Sequence, residues 1–346
     1  MDWQLVLPAV WFVVWGVLWG VYFVLDGYDL GIAMWVPLLG ASSEKERGTM
    51  HHVTGPFWDG NEVWLITAGG VTFAAFPLAY AVLFSSLYSP LMILLFCLIL
   101  RGVCSELRFQ WDNITYRWVC DGLIALTSLL AALLLGVAFS NLFRGLPLEF
   151  DQAKGFYMFQ GNILNLLHPY CLLGGIVFVL MFLVHGALYL GWRVIGDLKD
   201  KALYMAKFTW PVFMGLFLIY VILTFTFAGL YKNYLASPLL LALPLLCAIL
   251  FILSGLELYK KTNMARSLLY SCGGIFTLTM TGVIGMYPNV IPSRLAESGN
   301  VTILNAASST PTLTIMLVVA LIFVPIVIIY QIWAHRKLAV TINADY

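Results

Sequence analysis

Acidic side chains occur inside two strongly apolar stretches of the chain, where a charge is costly. Asp26 and Asp29 lie three residues apart in the run DGYDLG, so they share one face of a helix. Asp59 and Glu62 repeat this spacing in the run WDGNEVW. Carboxylates inside a membrane usually face a cavity or a partner and mark paths for ions or protons. Both pairs are therefore candidates for carrying protons.

Each pair also has a structural interpretation, and the residues alone leave both interpretations open. Asp26 and Asp29 are compatible with buried carboxylates that are hydrogen-bonded to a neighbouring helix, one of them neutral. Asp59 and Glu62 lie near the start of their apolar run, where a helix dipole would stabilise negative charge. The functional alternative for this second pair is a proton inlet at the cytoplasmic face.

Further polar groups lie at the ends of apolar runs. Arg101 ends the third run and is followed by Glu106 and Arg108, which favours an ion-pair cluster at the membrane interface. His51 and His52 precede the second run and are expected to be solvated loop residues.

The histidines and cysteines do not predict a metal site. His168 and His185 are the candidate haem ligands, but they are seventeen residues apart, or roughly 25 Å along one helix. They therefore cannot share one iron. The six cysteines form no C-x-x-C pair and mostly lie in or beside apolar runs, so neither a zinc site nor a disulfide framework is expected.

Nine apolar runs position these groups, each long enough to supply the roughly 20 residues that a spanning helix needs, and the first is longer than a membrane requires. The chain is 62% hydrophobic and 10% charged, which leaves no room for a large soluble domain. Its net charge of +1 gives no basic surface for nucleic acid. We predict an all-α membrane protein with a single integral-membrane domain over 1–346. The predicted helices are 5–38, 56–76, 79–101, 118–140, 164–190, 209–230, 237–256, 267–287 and 312–334.

The first helix carries two G-x-x-x-G pairs, a spacing that lets helices approach closely. They are formed by Gly16 with Gly20 and by Gly27 with Gly31. The long and almost uncharged segment 288–311 is expected to form a packed cap on the outer face.

The distribution of basic residues predicts the orientation. All but four of the 18 Lys and Arg residues fall in alternate loops and the C-terminal segment. The positive-inside rule then places the N-terminus outside and the C-terminus in the cytoplasm, which requires an odd number of helices. If the first helix ends near Leu38, Asp29 lies roughly 13 Å inward and Asp26 roughly 18 Å.

Three motifs of this sequence resemble subunit II of cytochrome bd-type quinol oxidases. They are DGYDLG over 26–31, WDGNEVWLITAGG over 58–70, and YPN over 287–289 together with NAASSTP over 305–311. Chain length and helix count also match, so the resemblance covers nearly the whole chain.

The resemblance implies a fold of two four-helix bundles plus one peripheral helix, paired with subunit I in a pseudo-symmetric heterodimer. It implies that subunit I carries two b-type haems and one d-type haem, whereas this chain carries no haem. The complex is expected to oxidise quinol and reduce O2 to water among the lipids of the bacterial cytoplasmic (inner) membrane. Some members of the family hold a quinone in subunit II, and additional small single-helix subunits are a further expectation.

The resemblance also gives roles to residues. The family's proton-path aspartate matches Asp59, Asp26 and Asp29 match acidic positions of the first helix, and Glu106 falls where some members have aspartate. The proton pathway from the cytoplasm is predicted to use these four carboxylates and Glu62. The residues expected to support it are Trp58, Asn61, Trp64 and Arg101.

A second function remains open at this stage. A proton-coupled secondary transporter would also place carboxylates such as Asp26, Asp29 and Asp59 inside the membrane, and it would act without a haem-bearing partner. Co-purification with a haem-rich membrane protein would argue against a transporter.

Overall fold

The protein is built almost entirely from helices. The computed structural model describes residues 2–40, 43–260, 263–338 and 342–343. The helices in these ranges are α1 Trp3–Leu39, α2 Glu44–Thr54, α3 Trp58–Ala75, α4 Pro77–Ser86, α5 Tyr88–Leu107, α6 Ile114–Arg144, α7 Ile163–Leu166, α8 Pro169–Arg193, α9 Asp197–Phe227, α10 Tyr231–Ala236, α11 Ala242–Lys260, α12 Met264–Met286 and α13 Thr310–Leu338.

Short strands connect some of the loops. The pairs are β1 Leu148–Asp151 with β2 Phe156–Phe159, β3 Val194–Ile195 with β6 Ile342–Asn343, and β4 Asn289–Ile291 with β5 Val301–Thr302. The backbone N–H of Leu146 donates to the carbonyl of Pro292 at 2.9 Å, which joins the loop after α6 to the loop after α12. Val290 and Val301 are buried, so the segment 288–311 is packed as predicted.

Eight helical segments of the described residues are long and apolar enough to cross a membrane. They are Trp3–Leu39, Tyr88–Leu107, Ile114–Arg144, Pro169–Arg193, Asp197–Phe227, Pro238–Lys260, Met264–Met286 and Thr310–Leu338. The predicted helix over 56–76 corresponds to α3, which is not one of the eight. Its polar first turns, with Asp59, Asn61 and Glu62, lower its hydropathy. These spans establish the predicted all-α membrane class.

The third predicted helix is interrupted in the structure and continues beyond its predicted end. The run 79–101 is divided between α4 and α5 at Leu87, because Pro90 has no N–H to continue the hydrogen bonds of α4. Helix α5 then continues to Leu107. Arg101 therefore lies inside a helix rather than at its end.

Helix α1 lies at the centre and packs against α3, α6, α8 and α12. A Cβ atom on Gly31 would lie 1.9 Å from the carbonyl oxygen of Phe182, and one on Gly20 would lie 2.8 Å from the ring of Phe276. Only a residue without a side chain fits such approaches, so the close packing predicted for the G-x-x-x-G pairs is confirmed.

Helix α13 lies at the edge of the molecule. Leu313 is its only buried residue, and the Leu313 carbonyl accepts a hydrogen bond from Trp11 Nε1 at 3.0 Å. The rest of this helix presents apolar side chains outward, as expected for a surface in contact with lipid or another subunit.

Candidate functional site

One guanidinium and three carboxylates form a buried group between α1, α3 and α5, which we call the inner acidic cluster: Asp26, Asp29, Glu62 and Arg101. Arg101 Nη2 donates to Asp26 Oδ1 at 2.7 Å and also to Glu62 Oε1. Asp26, Asp29 and Arg101 are buried, and Glu62 is half-buried. The sequence predicted each of these residues, but it predicted a different pairing for Arg101, with Glu106 and Arg108. The structure corrects this because Arg101 lies within α5, facing α1 and α3.

Asn61 completes the contacts of Asp29. Its Nδ2 donates to Asp29 Oδ2 and to the Tyr28 hydroxyl, both at 2.7 Å. Two buried carboxylate oxygens, Asp26 Oδ2 and Asp29 Oδ1, have no partner at good hydrogen-bond geometry among the described residues, although the Tyr22 hydroxyl interacts with Asp26. Buried acceptors are normally satisfied, so these two are positions for a proton or a water molecule.

The charges of the inner acidic cluster do not balance. Arg101 interacts electrostatically with Asp26, Asp29 and Glu62, and one positive charge cannot neutralise three negative ones. Uncompensated charge is costly in a low-dielectric interior, so the cluster favours binding of protons. Such an arrangement can take up and release protons as its surroundings change.

A cavity of about 220 Å³ leads to this cluster. A cavity needs only about 10–15 Å³ to hold a water molecule, so this one has room for several. Its lining includes Asp29, Arg101, Ser105 and Glu106. Since Glu106 is exposed and Asp29 is buried, the cavity links the surface to the inner acidic cluster.

Asp59 lies outside this cavity. It is exposed in the first turn of α3 and interacts electrostatically with Glu62. Trp58, beside it, lines the cavity and packs its ring on Gly102. Trp64 points to the other side, where its Nε1 donates to Gln331 Oε1 of α13 at 3.1 Å.

A second buried charge group, which we call the α2 clamp, consists of Glu44, Arg47, His51, Arg108 and Asp121. Arg108 donates to Asp121 Oδ1 and Oδ2 at 2.5 and 3.1 Å, and Arg47 Nε lies 3.1 Å from Oδ2. His51 Nε2 lies 2.8 Å from Asp121 Oδ1. Glu44 pairs with both arginines.

The expectation that His51 and His52 are loop residues was wrong. Both lie in α2, and His51 is buried against Asp121, whereas His52 is exposed. Burial lowers the pKa of His51, although the neighbouring Asp121 opposes this shift. One feature of the sequence indicates the contact between His51 and Asp121. Asp121 is an acidic residue near the start of α6, and several arginines lie in the neighbouring segments of the chain.

The two candidate haem ligands are engaged in hydrogen bonds. His185 is buried, with Nδ1 2.9 Å from Ser271 Oγ and Nε2 3.0 Å from the carbonyl of Val24. His168 caps α8 by accepting from the N–H of Tyr170 at 3.2 Å. In the described ranges, no group of three or more His, Cys, Asp or Glu side chains is arranged to hold a metal ion.

A larger cavity of about 550 Å³ lies between α1, α3, α4, α5 and α6, with mainly apolar walls. Trp15 and Trp19 line one side of it. Trp15 Nε1 donates to Thr72 Oγ1 at 2.9 Å, whereas Trp19 Nε1 is buried and has no partner among the described residues. This volume is typical of small-molecule sites.

Comparison with known proteins gives a consistent result. The sequence model of the family described as "Cytochrome bd terminal oxidase subunit II" matches residues 7–338. The chain is 33% identical to "Cytochrome bd ubiquinol oxidase subunit 2" of Bacillus subtilis, over 95% of each chain. It is also 33% identical to "Cytochrome bd-I ubiquinol oxidase subunit 2" of Escherichia coli, over 96% of this chain and 94% of that one.

A solved structure shares the fold. It is that of a bd oxidase from Geobacillus thermodenitrificans, with a TM-score of 0.78 and 14% sequence identity. The match covers 96% of this chain and 98% of that chain.

Proposed function

The chain belongs to the cytochrome bd terminal oxidase subunit II family, and we propose that it is the haem-free subunit of a complex that oxidises quinol and reduces O2 to water. The observation that carries the proposal is the inner acidic cluster, with its excess of negative charge and its cavity to the surface. Oxygen reduction consumes protons, and a buried reaction centre needs a route for them through low-dielectric protein. Titratable groups joined by a water-accessible cavity provide such a route.

We assign the steps of proton transfer to residues of this chain. Glu106, which lines the cavity, and Asp59, which lies outside it and interacts with Glu62, are the exposed carboxylates that collect protons. Protons from Glu106 reach Asp29 at the inner end of the cavity, protons from Asp59 pass to Glu62, and Asp26 and Glu62 share them under the charge of Arg101. Asn61 orients Asp29, Trp58 forms a wall of the cavity, and Trp64 holds α13 in place.

Haem belongs, in this proposal, to subunit I, which carries two b-type haems and one d-type haem. The support from this chain is that both ring nitrogens of His185 are occupied and that His168 is used as a helix cap. Replacing both histidines should leave the haem content of the assembled complex unchanged. Loss of one haem from an otherwise complete complex would overturn this assignment.

A quinone is a chemically suitable occupant of the 550 Å³ apolar cavity. Its ring and isoprenoid tail would contact the apolar walls, and Trp19 Nε1 would donate to a quinone oxygen. Trp19→Phe should lower the quinone content of the purified complex, measured after extraction. Unchanged content would show that the cavity holds another molecule, such as a lipid chain.

We further propose nine membrane crossings in a single domain over 1–346, with α3 as the second and α4 plus α5 as the third. Eight of them form two four-helix bundles and α13 is peripheral, which agrees with its exposed surface. The N-terminus would be outside and the C-terminus in the cytoplasm. Tyr346 lies outside the described residues, and a reporter fused to it should be active only in the cytoplasm. Signal from a reporter that needs the outer face would contradict this topology.

The experiment that tests the function is purification of the tagged chain from membranes. We expect a haem-bearing subunit, together with any small single-helix subunits, to co-purify with the tagged chain. The purified complex should consume O2 when quinol is supplied. The visible spectrum should show b-type and d-type haems. Purification of the chain in full yield, without haem and without a partner, would contradict the proposal.

A further inference from the structure

The end of α13 near Leu338 contacts the bundle through polar groups. Gln331 Oε1 accepts from Trp64 Nε1 at 3.1 Å, and Gln331 Nε2 donates to the carbonyl of Gly60 at 3.4 Å. One turn further, the His335 ring stacks on Phe57 with centroids 4.3 Å apart. His335 Nε2 lies 3.2 Å from the hydroxyl of Tyr28. These contacts lie next to the inner acidic cluster.

The hydrogen bonds of His335 define its tautomer. Nδ1 lies 2.9 Å from the carbonyl oxygen of Gln331, which can only accept, so Nδ1 carries the hydrogen. In the neutral ring Nε2 is then an acceptor, and the Tyr28 hydroxyl donates to it. If His335 gains a proton, Nε2 becomes a donor and the hydroxyl hydrogen of Tyr28 must turn to another acceptor.

Tyr28 transmits that change toward Asp29. Asn61 Nδ2 donates to the Tyr28 oxygen and to Asp29 Oδ2, both at 2.7 Å, and more weakly to the Leu25 carbonyl at 3.4 Å. The position of the Tyr28 hydroxyl therefore helps to fix the amide that holds Asp29. Tyr189 stacks on Tyr28 with ring centroids 3.9 Å apart, and its buried hydroxyl interacts with the Tyr28 hydroxyl and with Arg193. The Tyr189 oxygen is therefore an acceptor for the hydroxyl hydrogen that His335 displaces.

We propose that His335 is a proton-sensitive positioning residue for Asp29, acting through Tyr28 and Asn61. The proposal rests on the proposed function, because it matters only if Asp29 carries protons. This gives the peripheral helix α13 a role besides packing. The charge of the His335 imidazole, in its final turns, influences the buried Asp29 carboxylate. When His335 is protonated, its Nε2–H donates to the Tyr28 oxygen. The positive charge also favours the ionised form of Asp29, and this slows the uptake of protons by Asp29.

The charged and titratable groups around His335 come from several helices. Helix α1 supplies Tyr28, with Asp29 behind it, and α8 supplies Tyr189 and Arg193. Arg193 interacts electrostatically with the ring and lies over Trp192 at 5.7 Å. Helix α13 itself supplies Arg336 and Lys337, which are exposed. Phe57, which precedes α3, covers one face of the ring.

The test is the pH profile of quinol oxidase turnover in the complete complex. His335→Gln keeps a polar side chain near Tyr28 but does not titrate. We expect near-normal haem content and a shift of the acidic limb of the profile by about half a pH unit or more, toward lower pH. Tyr28→Phe should give the same profile, and the double variant should add nothing further, since both act through one contact.

Two comparisons make the outcome decisive. Trp333→Phe changes an exposed side chain of the same turn of α13 and should leave the pH profile unchanged. An unaltered profile in His335→Gln, or the same shift in Trp333→Phe, would overturn the positioning role. Asp29→Asn separates this failure from failure of the proposed function: if it retains full turnover, Asp29 carries no protons, whatever His335 does.

Discussion

The inner acidic cluster and the α2 clamp both bury charge at the same end of the helical bundle, but their charges are balanced in opposite ways. In the α2 clamp, both carboxylate oxygens of Asp121 are occupied by Arg47, His51 and Arg108. In the inner acidic cluster, a single Arg101 serves several carboxylates, and Asp26 and Asp29 each retain an oxygen without a well-aligned hydrogen bond among the described residues.

The comparison separates structural from functional buried carboxylates. A fully compensated carboxylate gains nothing from a proton, and its main role is to hold elements together. An under-compensated carboxylate beside a cavity is suited to exchange protons. We therefore expect substitutions in the α2 clamp to affect assembly and substitutions in the inner acidic cluster to affect turnover.

The largest expected effect on stability is that of Asp121→Asn. Removing this charge leaves Arg47 and Arg108 buried with incomplete compensation, and breaking a buried ion pair costs about 3–5 kcal/mol. The yield of assembled complex and its thermal stability should fall, whereas O2 consumption per haem in the surviving complex should stay near normal. The control is Asp112→Asn, since the Asp112 side chain is 98% exposed and surface pairs contribute about 0–1 kcal/mol. Equal losses of yield and thermal stability in the two variants would show that the α2 clamp does not stabilise the complex through Asp121.

Asp59→Asn should slow turnover at least tenfold, a barrier increase of roughly 1.4 kcal/mol or more, if Asp59 passes protons inward through Glu62. Assembly and haem spectra should be retained. Simple stabilisation of the α3 dipole predicts instead a loss of about 0.3–1 kcal/mol of stability with near-normal turnover. The matching Glu106→Gln variant shows which exposed carboxylate delivers the protons.

The smallest expected effect concerns His51 and pH. The pKa of His51 is lower in the folded protein than its ordinary value near 6.5, so the unfolded chain binds a proton first as the pH falls. Stability is therefore fully present above about pH 6.5 and decreases on acidification. His51→Gln should make the thermal midpoint less dependent on pH between about 6.5 and 5, whereas exposed His52→Gln should not. The same pH slope in both variants would contradict this account.

The sequence predicted the membrane class, the close packing of α1 and all four members of the inner acidic cluster, because apolar runs and helical spacing are local properties. It did not predict that Arg101 bridges Asp26 and Glu62, since that contact joins three helices and depends on α5 continuing past Arg101. The burial of His51 was also missed. It depends on α2 packing against the first turns of α6, about seventy residues further along the chain.

The central claim, that under-compensated carboxylates carry protons, is tested most directly at Asp29. Asp29→Asn preserves size and one hydrogen-bond acceptor for Asn61, but the amide cannot bind or release a proton at neutral pH. The measurement is O2 consumption per haem in the purified complex with excess quinol, after the visible spectrum has shown that all haems are present. We predict turnover at least tenfold below that of the unaltered complex, or roughly 1.4 kcal/mol or more in the barrier. Normal turnover in a complete complex would contradict the claim.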